Sequence, residues 1–148
     1  MHGKKGEIGS MKKIMIIGAG LLQSYVIKRA KELGYITVCV DGNPDAIGFK
    51  YCDYYKVINI IDEEECYKYA KKMNIDGVIT AATDYGVLTT SYIAEKLGLK
   101  GNSYKVCKII KNKYLVRKIL AEQNVDSMHN FFEIRNINDL NKITKKIK

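Results

Sequence analysis

Proline is nearly absent from this chain of 148 residues: only Pro44 occurs. Long stretches on either side are therefore free to run as unbroken helices and strands. Tryptophan is missing, and histidine is confined to His2 and His129. The four cysteines (Cys39, Cys52, Cys66, Cys107) include no Cys-x-x-Cys pair. With so few histidines, that spacing argues against a metal site, and the cysteines read as free thiols of a reducing cytoplasm. No apolar run approaches the ~20 residues of a membrane span, so no membrane partner is expected. There is no Ser/His/Asp set, no Cys/His pair and no carboxylate dyad, so the residues alone supply no catalytic centre and no catalytic residue is assigned.

Acidic residues are also in short supply. Lysine and arginine number 25 against 16 aspartates and glutamates, a formal charge of +9. The excess is uneven: residues 1–99 carry 13 basic against 12 acidic side chains, and residues 100–148 carry 12 against 4. A solvated lysine-rich face or a surface for phosphates or a complementary acidic domain would explain the basic end. No nucleic-acid motif accompanies it, so nucleic acid is not an expected partner.

What remains is an ordinary globular balance, 47% hydrophobic and 28% charged, in a chain long enough for one contiguous core. Residues 1–10 end in Gly9-Ser10 before a second methionine, and read as an expression-vector remnant with Met11 as the native start. The chain then opens on Lys12-Lys13-Ile14-Met15-Ile16-Ile17-Gly18-Ala19-Gly20-Leu21-Leu22-Gln23. An apolar strand, a glycine turn and a helix start in that order leave backbone N–H groups able to receive an anion.

Helical periodicity runs from about Gly20 to Leu33, with Leu22, Val26, Ala30 and Leu33 as the expected inner stripe. A second strand over 35–40 is apolar on both faces, as a parallel strand covered on both sides would be. It ends in the turn cluster Asp41-Gly42-Asn43-Pro44. A helical turn is expected near 46–49 and a third strand over 56–60. Asp62 followed by Glu65 predicts a capped helix, with Cys66, Tyr69, Ala70 and Met73 inward. A fourth strand over 76–82 runs into Thr83-Asp84-Tyr85-Gly86 and another helix to Leu97. Two further helices over 103–109 and 113–123, a strand at Phe131–Ile134 and a helix over 138–147 complete the expectation. The pattern change places a boundary near Val125 to Asn130.

Four strands alternating with helices predict an α/β fold: a Rossmann-like three-layer sandwich with a parallel sheet of four or more strands. Its ligand crevice should lie outside the C-terminal strand ends. Gly18-x-Gly20 with Asp41 beyond the next strand fits part of a dinucleotide fingerprint. Gln23 occupies the place of the third glycine, so another ligand or a purely structural turn stays open beside an NAD(P)-binding oxidoreductase domain. Asp84 could cap the following helix or face the crevice. Lys113, at a helix start, could meet an anionic partner or only solvent.

Three runs together resemble the N-terminal, pre-ATP-grasp domain of ATP-grasp ligases. They are Gly18–Gln23; Val40–Ala46 with Tyr51-Cys52-Asp53; and Thr83–Val87 leading to Ile93–Leu99. Lys111–Leu120 is similar to the family's next helix, with Asn112 where aspartate is usual. Relatives include biotin carboxylase, the carbamoyl phosphate synthetase large subunit and purine-biosynthetic ligases. The resemblance implies a pre-ATP-grasp domain over 11–127 and the start of a truncated ATP-grasp domain over 128–148. It implies a pocket for a small carboxylate or amine substrate at Gly18, Gly20, Leu21, Leu22, Gln23, Asp41 and Asp84, and an ATP contact at Lys113. ATP and Mg2+ would serve the full-length parent, which would activate a carboxylate as an acyl phosphate for attack by an amine. The chain alone would be inactive, without tight cofactor binding, and its partner would be the missing ATP-grasp domain. Exposed Phe131, Phe132 and Ile134 would favour a homodimer.

Overall fold

Alternating side chains along four short strands build two separate apolar layers. In the computed structural model, which describes residues 11–125 and 131–145, β1 (Lys13–Ile17), β2 (Ile36–Asp41), β3 (Tyr54–Val57) and β4 (Gly77–Thr80) form one parallel sheet in the order β3-β2-β1-β4. The expected vector remnant at 1–10 lies outside the described residues. Successive strand residues point to opposite faces. Met15, Ile17, Val38, Val40 and Val78 therefore meet one helical layer, and Ile14, Ile16, Cys39 and Ile79 meet the other.

The first layer contains α2 (Glu63–Met73) and α3 (Gly86–Leu97), which bring Cys66, Ala70, Ile93 and Ala94 into the core. Burial pushes the Cys66 thiol up to about 12. The acids at the start of α2 are helix-start chemistry, as expected: Asp62 Oδ1 accepts the Glu65 N–H at 3.0 Å. The second layer holds α1 (Leu21–Glu32) and a 3₁₀ turn at Ile47–Lys50. Helices on both faces of a parallel sheet make this the expected α/β three-layer sandwich. No helix among the described residues is long and apolar enough to cross a membrane.

Three local expectations need correction. The buried side of α1 carries Gln23, Ser24, Ile27 and Ala30, whereas Leu22 and Leu33 are each 59% exposed. The two polar residues are tolerated inside because each has a carbonyl to bond. Gln23 Nε2 donates to Ala81 O at 2.6 Å and Ser24 Oγ to Leu21 O at 2.6 Å. The third strand starts earlier than expected and is exposed throughout, since it pairs only with β2 and forms a sheet edge. Phe131–Ile134 is not a strand. Phe131 is half-buried and meets the Tyr114 ring edge-on at 5.7 Å, with no neighbouring strand among the described residues to complete a ladder.

The chain divides into two compact units, Met1–Tyr104 and Lys105–Lys148. The second unit contains α4 (Tyr104–Lys111) from its second residue, α5 (Lys113–Glu122) and α6 (Ile137–Thr144).

Asp53 locks the start of β2 to the segment ahead of β3. Its Oδ2 accepts from Thr37 N–H at 2.9 Å and from Thr37 Oγ1 at 2.8 Å, and Oδ1 pairs with Lys31 Nζ at 2.7 Å. Burial alone would raise its pKa, but Lys31 and the Thr37 donors outweigh it and hold the carboxyl below its ordinary value. A pKa lowered by folding contributes stability above the unfolded value, near ~4, and the contribution disappears as pH falls through the folded value. Urea midpoints measured across that acid range are therefore expected to fall more steeply for the native chain than for Asp53→Asn. Parallel slopes would contradict this role.

Candidate functional site

The strand order reverses beside β1: β2 and β3 lie on one side and β4 on the other. Such a switch point opens a crevice beyond the C-terminal strand ends, between the β1–α1 turn and the β4–α3 loop. Gly18 makes the first turn with φ +96°, a conformation suited to glycine, and its N–H donates to Val40 O at 2.9 Å. Gly20 then starts α1 without a side-chain cap, and the first turn of α1 has no acidic residue. The first amides of the helix thus keep their positive character at the crevice.

Gln23 forms the floor. Its side chain lies over both glycines: a Cβ at Gly18 would stand 3.3 Å from Gln23 Cγ, and one at Gly20 would stand 2.9 Å from Gln23 Oε1. The hydrogen bond from Gln23 to Ala81 O joins the two walls across the switch point. Thr80 Oγ1 donates to Ile17 O at 2.9 Å just below it.

The opposite wall contains features that periodicity alone did not reveal. Ala82 has φ +54°, an uncommon and strained conformation for a residue with a Cβ. Thr83 Oγ1 accepts the Tyr85 N–H at 3.2 Å. Asp84 therefore does not cap α3; it is exposed, and no hydrogen bond or ion pair holds it among the described residues. The only linear signal for this arrangement was the run of small residues before Asp84.

Asp41 is arranged differently. Oδ2 accepts from Ala19 N–H at 2.7 Å and Oδ1 from Asn43 N–H at 2.9 Å, so both oxygens hold backbone. Leu21 and Leu22, 60% and 59% exposed, supply an apolar shoulder at the start of α1. The hydrogen bond from Gln23 to Ala81 O joins the turn of Gly18, Gly20, Leu21 and Leu22 to the loop that leads to the exposed Asp84, and Asp41 supports that turn. These groups can bind and orient a small polar molecule, but they present no nucleophile paired with a base.

Lys113 lies in the other unit, as the exposed first residue of α5. Asn112 Oδ1 accepts from both Tyr114 N–H and Leu115 N–H at 3.1 Å, so asparagine here acts as a helix cap. Among the described residues no group of three or more His, Cys, Asp or Glu side chains could hold a metal ion.

A separate apolar groove of about 360 Å³ lies beside α1, lined by Ile14, Tyr25, Val26, Ala30, Leu33 and Ile79 among others. Arg29 at this groove pairs with Glu32. The groove lacks the several convergent polar groups that orient a small polar ligand.

The glycine turn, the helix that follows it and the parallel sheet covered on both faces define a Rossmann-like α/β domain. No family model matches the chain, and no curated protein matches it. Solved structures do. Phosphoribosylglycinamide synthetase from Anaerococcus prevotii is similar at 28% identity and TM-score 0.74, over 93% of this chain and 35% of that one. N5-carboxyaminoimidazole ribonucleotide synthetase from Thermotoga maritima is similar at 22% identity and TM-score 0.69, over 90% and 36%. N5-carboxyaminoimidazole synthetase from Staphylococcus aureus, complexed with ADP, gives 16% and 0.70, over 91% and 36%. The chain spans about a third of the length of these proteins, 35% of the first. These structure neighbours are ATP-grasp ligases, and the match is consistent with an N-terminal, pre-ATP-grasp domain.

Proposed function

We propose that this chain is the substrate-binding N-terminal domain of an ATP-dependent carboxylate–amine ligase. What supports this reading is the uncapped start of α1, joined through Gln23 and Ala81 O to the loop that carries the unpartnered Asp84 carboxylate. A phosphorylated amine has complementary groups, its phosphate for the α1 amides and its amino group for Asp84. Gln23 folded over the glycine turn supports a small substrate there in preference to a dinucleotide, because its side chain fills the space beside Gly18 and Gly20.

The parent enzyme would use ATP and Mg2+ to make an acyl phosphate, with the metal ligands and most of the nucleotide site supplied by an ATP-grasp domain beyond this chain. Lys113 is the residue proposed to reach ATP. Carboxylate activation of the carbamoyl phosphate synthetase kind, a cytoplasmic location, a missing ATP-grasp domain as partner and self-association belong to the same proposal.

The test is an amide chemical-shift titration of the chain with phosphoribosylglycinamide, the compound in the name of the first neighbour, and separately with NADH. The expected result is saturable shifts at residues 20–23 and 83–86 with the phosphorylated amine, and none with NADH. Saturable NADH shifts at Gly18–Gly20 would overturn the ligase reading in favour of an NAD(P)-binding domain.

A further inference from the structure

Gln23 stands where the sequence pattern called for a third glycine, and its side chain is only 7% exposed. Burying a carboxamide costs free energy unless its polar atoms are used, so each of them has to be accounted for. As the third residue of α1, after the N-cap Gly20, Gln23 is placed to close a capping box, with Oε1 accepting the N-cap N–H. That bond is not made. Nε2 donates instead to Ala81 O, 58 residues away, at 2.6 Å. The carboxamide cannot be turned over there, because Oε1 in place of Nε2 would set two acceptors against each other. Oε1 is left beside Gly20, 2.9 Å from the point a Cβ would occupy, and accepts no hydrogen bond among the described residues. Every fully buried side-chain nitrogen and oxygen among those residues has a partner, so Oε1 keeps an edge open to solvent.

The far end of the Gln23 bond matters as much. Among the described residues it is the one hydrogen bond that ties residues 81–84 to another element. Ala82 comes next, with φ +54°, and Asp84 two residues later presents its exposed carboxylate.

We propose that Gln23 is the positioning residue of the substrate site. Nε2 holds the loop that carries Asp84 to the start of α1. By turning away from Gly20, the same side chain leaves that helix start uncapped for the anionic part of the substrate. The role rests on the substrate-pocket reading given above. Packing alone does not require glutamine here, since methionine would fill the same space without either effect.

The experiment compares the native chain with Gln23→Met and Gln23→Glu, by backbone amide relaxation and by titration with phosphoribosylglycinamide. Methionine matches glutamine in length but donates nothing to Ala81 O. Order parameters at residues 82–84 are expected to fall from about 0.85 to below about 0.6, with α1 and the strands unchanged. In Gln23→Glu the ionised carboxylate cannot donate, whereas the protonated acid supplies the missing hydrogen. Burial and the facing carbonyl favour the protonated acid, so loop order should return as pH falls from about 8, with a midpoint above the ~4.3 usual for glutamate. Asp41, which holds the Ala19 N–H, and Asp84 are the acids on the adjoining segments, and the native chain over the same pH range controls for both. Binding of phosphoribosylglycinamide should weaken about tenfold in Gln23→Met, with the shifts at 83–86 lost and those at 20–23 kept.

Unchanged loop order in Gln23→Met, or a loop in Gln23→Glu that ignores pH, would overturn the proposal. If the methionine variant does not fold, the pH series of Gln23→Glu decides alone. If the native chain does not bind phosphoribosylglycinamide, it is the ligase reading that fails, and the relaxation results still decide whether Gln23 holds the loop.

Discussion

Replacing Gly48 by alanine is expected to lower the unfolding free energy by about 2–3 kcal/mol. Gly48 is buried in the 3₁₀ turn, and its N–H donates to Ala19 O at 2.7 Å. A Cβ at position 48 would lie 2.6 Å from that carbonyl oxygen, 3.0 Å from its carbon and 2.8 Å from Ile27 Cδ1. The isoleucine methyl can rotate away, but the carbonyl cannot. Its segment is held by the Gly18 N–H bond to Val40 O and the Ala19 N–H bond to Asp41. The 3₁₀ turn must therefore lift off α1, and the cluster of Ile16, Ile27, Cys39 and Ala46 loosens with it. Urea titration would measure the loss. A change below about 0.5 kcal/mol would show that the turn is more compliant than its contacts imply.

Asp41→Ala should cost about 3 kcal/mol, and Asp41→Asn roughly half as much. The reason is an acceptor count. Both carboxylate oxygens are used by backbone N–H groups, and one of those groups belongs to Ala19, which is fully buried. Alanine leaves both donors without their partner, whereas asparagine retains one acceptor oxygen. A residue that served only a bound ligand would show the opposite pattern, with lost affinity and an unchanged urea midpoint. Measuring both quantities on the two variants separates the roles.

These two residues also show what was legible in the linear sequence and what was not. The glycine turn after an apolar strand, the Asp62–Glu65 cap and the strand–helix alternation are short-range patterns, and each forms where the residues call for it. Asp41 was legible as a residue of the turn region, but its partners are 22 residues upstream and two downstream, so its use by the backbone emerged only with the fold. The inner face of α1 misled for a related reason. Leucine at 22 and 33 satisfies a helical period, yet the face is decided by the carbonyl at Ala81 that receives Gln23. Phe131–Ile134 has strand-forming residues but no strand beside it among the described residues, and a ladder is a property of two segments.

Ala82 carries a consequence that concerns entropy. A glycine at its left-handed position would relieve steric strain of about 1–2 kcal/mol, and would also allow the loop many other shapes. Alanine narrows that ensemble before any ligand arrives. The loop bearing Asp84 is thus set in advance, and under the proposed function an incoming substrate would meet a carboxylate whose loop has already lost much of its freedom.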